Sequence, residues 1–296
     1  MYFLTYLFNE EEKIGILSKN KIIPLDTIYN KLNLNPPTDM LSFIKMSNDS
    51  LVEKINNTAD SMVNNSIELD QVKILAPIPY PKNDVICLGK NYIEHAKEVM
   101  GLTSDNLDIP TQPIYFSKRA NPAIGNNDII MKHSSITDSV DYEVELAIII
   151  GKDGINIKKE EAQDYIFGYT IANDISARNL QKKHIQWFKG KSLNTFCPMG
   201  PYIVHKSLIP FPVHLDIKCF INGELRQNSN TKNLIFDIPY IISDLSKGMK
   251  LNAGDIIMTG TPSGVGLGFK PFKFLKSGDK IECFIEGIGT LTNYIE

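Results

Sequence analysis

Two glutamates set two residues apart are the first candidates for chemistry. In Asp141-Tyr142-Glu143-Val144-Glu145-Leu146 both carboxylates share a face if the segment is a strand, because side chains alternate across a strand. The apolar run Leu146 to Ile150 predicts that this strand is buried. Two carboxylates turned into a core repel each other and lose hydration, a cost that a cation between them relieves. The alternative is a strand end with solvated glutamates. Asp174 closes a second apolar run in Thr170-Ile171-Ala172-Asn173-Asp174-Ile175, where it is either a third ligand or the N-cap of a helix beginning at Ile175. Ligation by oxygen alone favours Mg2+ or Mn2+ over zinc.

A second constellation could move protons. His95 and Glu98 lie three residues apart in Gly89-Lys90-Asn91-Tyr92-Ile93-Glu94-His95-Ala96-Lys97-Glu98, hence on one helical face. A carboxylate beside an imidazole fixes its tautomer and raises its pKa, as activating a water requires; a surface ion pair is the plain alternative. His133, His184, His205 and His214 read as structural or surface residues. Gly190 between Lys189 and Lys191 permits close backbone approach, so Lys191 could meet an anionic substrate, unless the segment is an exposed lysine loop. The loop Thr259-Gly260-Thr261-Pro262-Ser263-Gly264-Val265-Gly266-Leu267-Gly268 can offer N–H groups and hydroxyls to an anion. It lacks the Lys-Ser/Thr ending of a phosphate-binding P-loop, and a structural turn cluster reads equally well.

The elements that must hold these residues are mostly strands. Met1 to Phe8, Ile14 to Leu17 and Ile22 to Leu25 read as short strands, and Met40 to Met46 and Leu51 to Ile55 as helices. Ala76-Pro77-Ile78-Pro79-Tyr80-Pro81 is a stiff extended segment, taken as a boundary between a small accessory domain (1–75) and the main domain (76–296). Beyond it, strands are predicted at Val85 to Leu88, Leu146 to Ile150, Phe167 to Ile171, Tyr202 to Val204, Leu215 to Ile221, Asp255 to Thr259 and Lys280 to Ile285. Helices are expected around Asn91 to Met100, Lys158 to Tyr165, Ser176 to Trp187 and Pro239 to Lys247, with a tight hairpin at Asn222-Gly223. Gly101 to Pro113 is a polar stretch without periodicity, long enough for a loop or lid.

Composition narrows the partners. Of 296 residues, 43% are hydrophobic and 22% charged, ordinary for a globular protein. A net charge of -3 without a Lys/Arg-rich run lacks the footprint of a nucleic-acid binder, so a small-molecule partner is expected. Apolar runs are too short to span a bilayer, and Asn9-Glu10-Glu11-Glu12 interrupts any signal peptide, so a cytoplasmic protein with no membrane partner is expected. Cys87, Cys197, Cys219 and Cys283 form no CxxC pair and read as buried free thiols.

Taken in order, these segments resemble the fumarylacetoacetate hydrolase family. The motifs are Gly89-Lys90-Asn91-Tyr92 with His95 and Glu98, Asp141-Tyr142-Glu143-Val144-Glu145, Asn173-Asp174-Ile175-Ser176-Ala177-Arg178, Leu180-Gln181, Gly190-Lys191-Ser192, Cys197-Pro198-Met199-Gly200-Pro201 and Gly254-Asp255-Ile256-Ile257-Met258-Thr259-Gly260-Thr261-Pro262. The resemblance covers roughly Ala76 to Glu296 and implies an α+β, β-rich fold, a mixed β-sandwich roll with a small N-terminal α+β domain. It implies a homodimer, a divalent metal on Glu143, Glu145 and Asp174, and substrate contacts from Arg178, Gln181, Lys191 and Thr261. His95 and Glu98 would be the water-activating dyad, with Lys191 beside them as a catalytic residue. Asn179 and Asn194 stand where related sequences commonly have Asp; neither is an implied ligand.

The implied substrate is a small 2-oxo acid whose enolate the cation stabilises when a bond beyond C3 breaks. With an activated water, an acylpyruvate would be cleaved between C3 and C4; without one, oxaloacetate would lose CO2. Hydration or isomerisation of a 2-oxo-heptenedioate is the alternative within the family, and a non-catalytic metal-binding scaffold the alternative outside it.

Overall fold

The computed structural model describes residues 1–59, 61–62, 66–102 and 109–296; positions 103–108 of the expected Gly101 to Pro113 loop lie outside the described residues. The fold follows from the strand Val144–Ile150, buried at every position. Its even-numbered side chains Val144, Leu146, Ile148 and Ile150 join one apolar core with Ile217, Cys219, Ile281 and Cys283. Its odd-numbered Ala147 and Ile149 join another with Phe3, Phe43, Ile44 and Phe167. Period-two alternation in a strand without a polar face thus demands cover on both sides, and the chain provides it.

The large sheet runs, edge to edge, through Ile67–Glu68, Lys21–Pro24, Glu11–Ser18, Tyr2–Phe8, Met199–His205, Ile166–Asn173, Val144–Ile150, Ile256–Met258, Val85–Gly89 and Ile114–Lys118, with Lys73–Ile74 paired to Tyr2–Phe8. A second sheet, ordered Glu224–Asn230, Asp216–Ile221, Lys280–Ile285, Gly289–Ile295 and Ile129–Ile130, packs across the first core. This is the expected β-rich α+β sandwich roll. On the other face lie the helices Leu25–Lys31, Met40–Met46 and Asp49–Ala59. The first 75 residues therefore contribute strands to the same sheet that carries the carboxylates, through Tyr2↔Val204 and Phe3↔Ile203.

Asn222 and Gly223 take φ of 52° and 80°, as a type I′ hairpin turn between Asp216–Ile221 and Glu224–Asn230 requires. All four cysteines are free and buried. The predicted helix Ser176 to Trp187 is instead a two-residue strand Ser176–Ala177, a short helix Arg178–Lys183 and a separate turn of helix Phe188–Lys191. Lys158 to Tyr165 winds as 3-10 helix over Lys159–Tyr165. The strands Ile114–Lys118 and Gly289–Ile295 have no counterpart among the predicted ones. Among the described residues no helix is long and apolar enough to cross a membrane.

Candidate functional site

Glu145 lies on the strand Val144–Ile150, two residues before Ala147 and on the same face, so alternation turns its carboxylate away from the sandwich core. Glu143 precedes that strand, and Asp174 follows Ile166–Asn173, its antiparallel neighbour. Adjacent strand ends bring the three together: one carboxylate oxygen from each lies within 4.8 Å of the others, and all three residues are buried. The N-cap reading of Asp174 is not what the chain adopts, since the strand Ser176–Ala177 follows it. The solvated-strand-end reading of Glu143 and Glu145 fails as well, at 5% and 1% exposure.

Basic side chains crowd the triad. Lys191 Nζ donates to Glu143 Oε2 at 2.8 Å and to Asp174 Oδ2 at 2.7 Å. It is 2% exposed, which rules out the exposed lysine loop. Lys118, absent from the expected site residues, pairs with Asp174 Oδ1 at 2.7 Å and donates to the carbonyls of Ile175 and Lys191. Arg178 bridges Asp141 Oδ2 and Glu143 Oε1 at 2.8 and 2.7 Å and donates to Gln181 Oε1. Asp141 in turn accepts the N–H groups of Gly266 and Leu267, so the glycine-rich loop serves as an anchor for the arginine's partner. A side chain on Gly266 would meet Asp141 Oδ1.

The carboxylates respond differently to this surrounding. Burial works to raise the Glu143 carboxyl, but the charges of Lys191 and Arg178 outweigh it and hold the group at about 2. Glu145, whose Oε2 accepts the Gly260 N–H at 2.6 Å, is pushed well above the usual range by burial and then by Asp174 and Glu143. A charge cluster of this kind fits a hard cation. Metal–oxygen bonds of about 2.1 Å separate opposed ligands by about 4.2 Å, within small side-chain adjustments of the spacing present.

His95 and Glu98 do share a face of the helix Ile93–Glu98. Nδ1 of His95 lies 3.3 Å from Glu98 Oε2, and Glu98 Oε1 accepts the Gly264 N–H at 2.9 Å. The pair is largely buried, so it is no surface ion pair. Asn91 fixes the preceding turn, bonding the backbone of Phe236 and Thr259. Thr261 Oγ1 donates to the Val144 carbonyl and accepts from Gln227, which also holds the Val144 N–H. Asn173 accepts the Glu143 N–H. A single pocket is lined by His95, Glu143, Arg178, Gln181, Lys191 and Thr261 together with Phe116 and Trp187. Gly89 makes room for that tryptophan, whose ring would collide with any Cβ at this position. The remaining histidines lie elsewhere, and none of them lines this pocket.

A sequence model described as fumarylacetoacetate (FAA) hydrolase C-terminal matches residues 84–296. The chain belongs to the fumarylacetoacetate hydrolase family. As a member it is 48% identical over 291 residues, 98% of this chain and 95% of the other, to a Bacillus subtilis (strain 168) protein called oxaloacetate tautomerase YisK. Its fold superimposes on a fumarylacetoacetate hydrolase from Exiguobacterium antarcticum with a TM-score of 0.83 at 36% identity, covering 100% of this chain and 99% of that one. A maleylpyruvate hydrolase from Sphingobium sp. SYK-6, solved in complex with manganese(II) and pyruvate, gives a TM-score of 0.76 at 27% identity over 100% and 98% of the two chains. This family member is an enzyme. Its Glu143, Glu145 and Asp174 form an acidic cluster suited to a metal ion.

Proposed function

We propose that this enzyme interconverts the keto and enol forms of oxaloacetate at a divalent-cation site made by Glu143, Glu145 and Asp174. The observation that carries the choice of reaction is the 48% identity, over nearly the whole chain, to a protein called oxaloacetate tautomerase. Carbon–carbon cleavage, the chemistry expected from the family resemblance, passes through the same enolate but needs a further bond to break. Tautomerisation needs only that a proton leave C3 and one arrive at the 2-oxygen.

Magnesium or manganese bound to the three carboxylates would supply positive charge against which the substrate's C1 carboxylate and 2-oxo oxygen can lie. Lys191, already held by Glu143 and Asp174, presents a second cation to the developing oxyanion. Arg178 and Gln181 bind the far end of the acid, and Thr261 closes the wall opposite. His95 takes the C3 proton and delivers a proton to the 2-oxygen, the reverse transfer regenerating the ketone, with Glu98 steadying the imidazole through Nδ1. Trp187 and Phe116, edge to face at 5.2 Å, keep water from the enolate. The resemblance implies a homodimer, which light scattering on the same preparation tests.

A second reading keeps the water: with the dyad activating it, an acylpyruvate would be hydrolysed, as the name of the Sphingobium neighbour suggests. The decisive experiment follows loss of enol-oxaloacetate absorbance with Mg2+, with Mn2+ and with EDTA, beside assays of CO2 release and acetylpyruvate cleavage. Metal-dependent tautomerisation faster than either cleavage is expected. His95→Ala should slow it by roughly 100- to 10,000-fold, the usual worth of a general base. Cleavage activity with no acceleration of tautomerisation overturns the proposal.

A further inference from the structure

Behind the catalytic pocket lies a second, larger chamber. Its inner wall is Arg178 and Gln181, which also line the catalytic pocket, and its other walls include Leu267, Phe272 and Phe274. Between the two spaces lies an apolar strip: Val99 of the catalytic pocket packs with Val265 and Leu267, and Phe274 packs against that cluster. Phe272 and Phe274 lie ring to ring with centroids 5.3 Å apart, and Phe272 is 51% exposed. The rim charges, Asp138 and Lys182, cancel. Arg178 spends its Nε and Nη1 on Asp141, Glu143 and Gln181, while its buried Nη2 has no hydrogen-bond partner among the described residues.

We propose that this chamber is a tail subsite, which takes an apolar extension of the 2-oxo acid running from the catalytic pocket past Gln181 onto Leu267, Phe272 and Phe274. The inference rests on the reading that the 2-oxo acid head lies at Glu143, Glu145 and Asp174. A four-carbon acid such as oxaloacetate ends at Arg178 and Gln181 and leaves the chamber to solvent. An acid with several methylenes beyond C4 transfers them from water to leucine and phenylalanine. Arg178 Nη2 is left to meet the C4 carboxylate of a short acid, but beyond it the balanced rim of Asp138 and Lys182 gives a terminal carboxylate no uncompensated cation to offset its desolvation. The site thus selects for length and against charge at the distal end, the opposite of what a heptanedioate-type substrate needs.

Calorimetry on the full chain loaded with Mn2+ tests this with pyruvate, 2-oxobutanoate, 2-oxohexanoate, 2-oxooctanoate and the dicarboxylate 2-oxooctanedioate. Once the tail passes Gln181, each methylene should tighten binding by roughly fourfold, the factor for burying one CH2. In Phe272→Ser and Phe274→Ser that gain should shrink, while pyruvate, too short to reach either ring, binds as to the parent. Phe272 is half exposed, so its variant tests the idea even if Phe274→Ser folds poorly, which a thermal melt reports. An affinity flat or falling with length, or 2-oxooctanedioate binding more tightly than 2-oxooctanoate, overturns the subsite. A rising series without tautomerisation of oxaloacetate would sink the reaction and spare the subsite; tautomerisation with a flat series does the reverse.

Discussion

Glu145 carries the least compensated charge at the site. Its carboxyl is pushed up by burial and by the two other carboxylates, so without a cation it is best uncharged, and a metal must expel its proton. Mn2+ at about 100 times its dissociation constant should then stabilise the protein by about 2.7 kcal/mol and raise the thermal midpoint by roughly 5 °C. Glu145→Gln mimics the protonated acid; it should melt near the metal-free parent and show little response to Mn2+. A full Mn2+ shift in that variant would remove Glu145 from the ligand set. Lys118 acts from the other side, since its ammonium neutralises Asp174 and ties the Ile175 and Lys191 carbonyls. Lys118→Met leaves that carboxylate less compensated and should cost on the order of 3–5 kcal/mol, read as a lowered urea midpoint. An unchanged midpoint would mean that Lys191 alone suffices to balance Asp174. The three carboxylates were legible as a set only through the order of the family motifs, because spacing alone left Glu143 and Glu145 open to a solvated strand end and Asp174 to a helix cap. Lys118 was not, because a lysine ending an apolar run is ordinary at any strand terminus.

Strands with unbroken apolar runs, such as Leu146 to Ile150, could be read directly, because burial on both faces and a length of five residues favour a strand. The helix expected over Ser176 to Trp187 failed for a tertiary reason. A Cβ on Gly190 would lie 2.6 Å from the Gln181 backbone nitrogen, so two short helices press together at a glycine. This arrangement aims Arg178, Gln181 and Lys191 into one pocket, and one continuous helix would separate them. The strand Met199–His205 carries a different consequence. His205 packs on the rings of Phe3 and Phe167, and its Nδ1 pairs with the Ser207 hydroxyl. Burial first, then neighbouring positive charge including Lys206, lowers its pKa to about 4 against the pull of Asp49. The folded imidazole resists protonation that the unfolded chain accepts at about 6.5. Stability is therefore full above about pH 6.5 and falls as pH drops toward 4, by about 3 kcal/mol over that window. His205→Asn should flatten this limb of the stability profile, measured by urea melts between pH 7 and 4; a parallel decline in both proteins would place the acid sensitivity elsewhere.

At the scale of the whole molecule, the question is what the first 75 residues do. The family match begins at residue 84, yet the 48% identical relative aligns with 98% of this chain, so the early segment travels with the catalytic part. The strand Tyr2–Phe8 pairs with Met199–His205, and Phe3 lies against Phe43 and Phe167 at 4.9 and 5.4 Å. Ala147 and Ile149, on the face that carries Glu145, sit in that same core. Removing residues 1–75 would bare the edge of Met199–His205, an invitation to aggregation, and uncover the core on that face. Each large apolar side chain stripped of its partners forfeits about 1.5–3 kcal/mol, and a handful of them exceeds the roughly 5–15 kcal/mol that holds a protein folded. We therefore propose that the accessory segment serves as one wall of the sandwich. A fragment spanning 76–296 should be insoluble, or soluble without a cooperative melt or near-ultraviolet dichroism. If instead the fragment melts cooperatively and still shows the Mn2+ shift, the carboxylate cluster is held by the strands after residue 76 alone, and the early segment must act on substrate access.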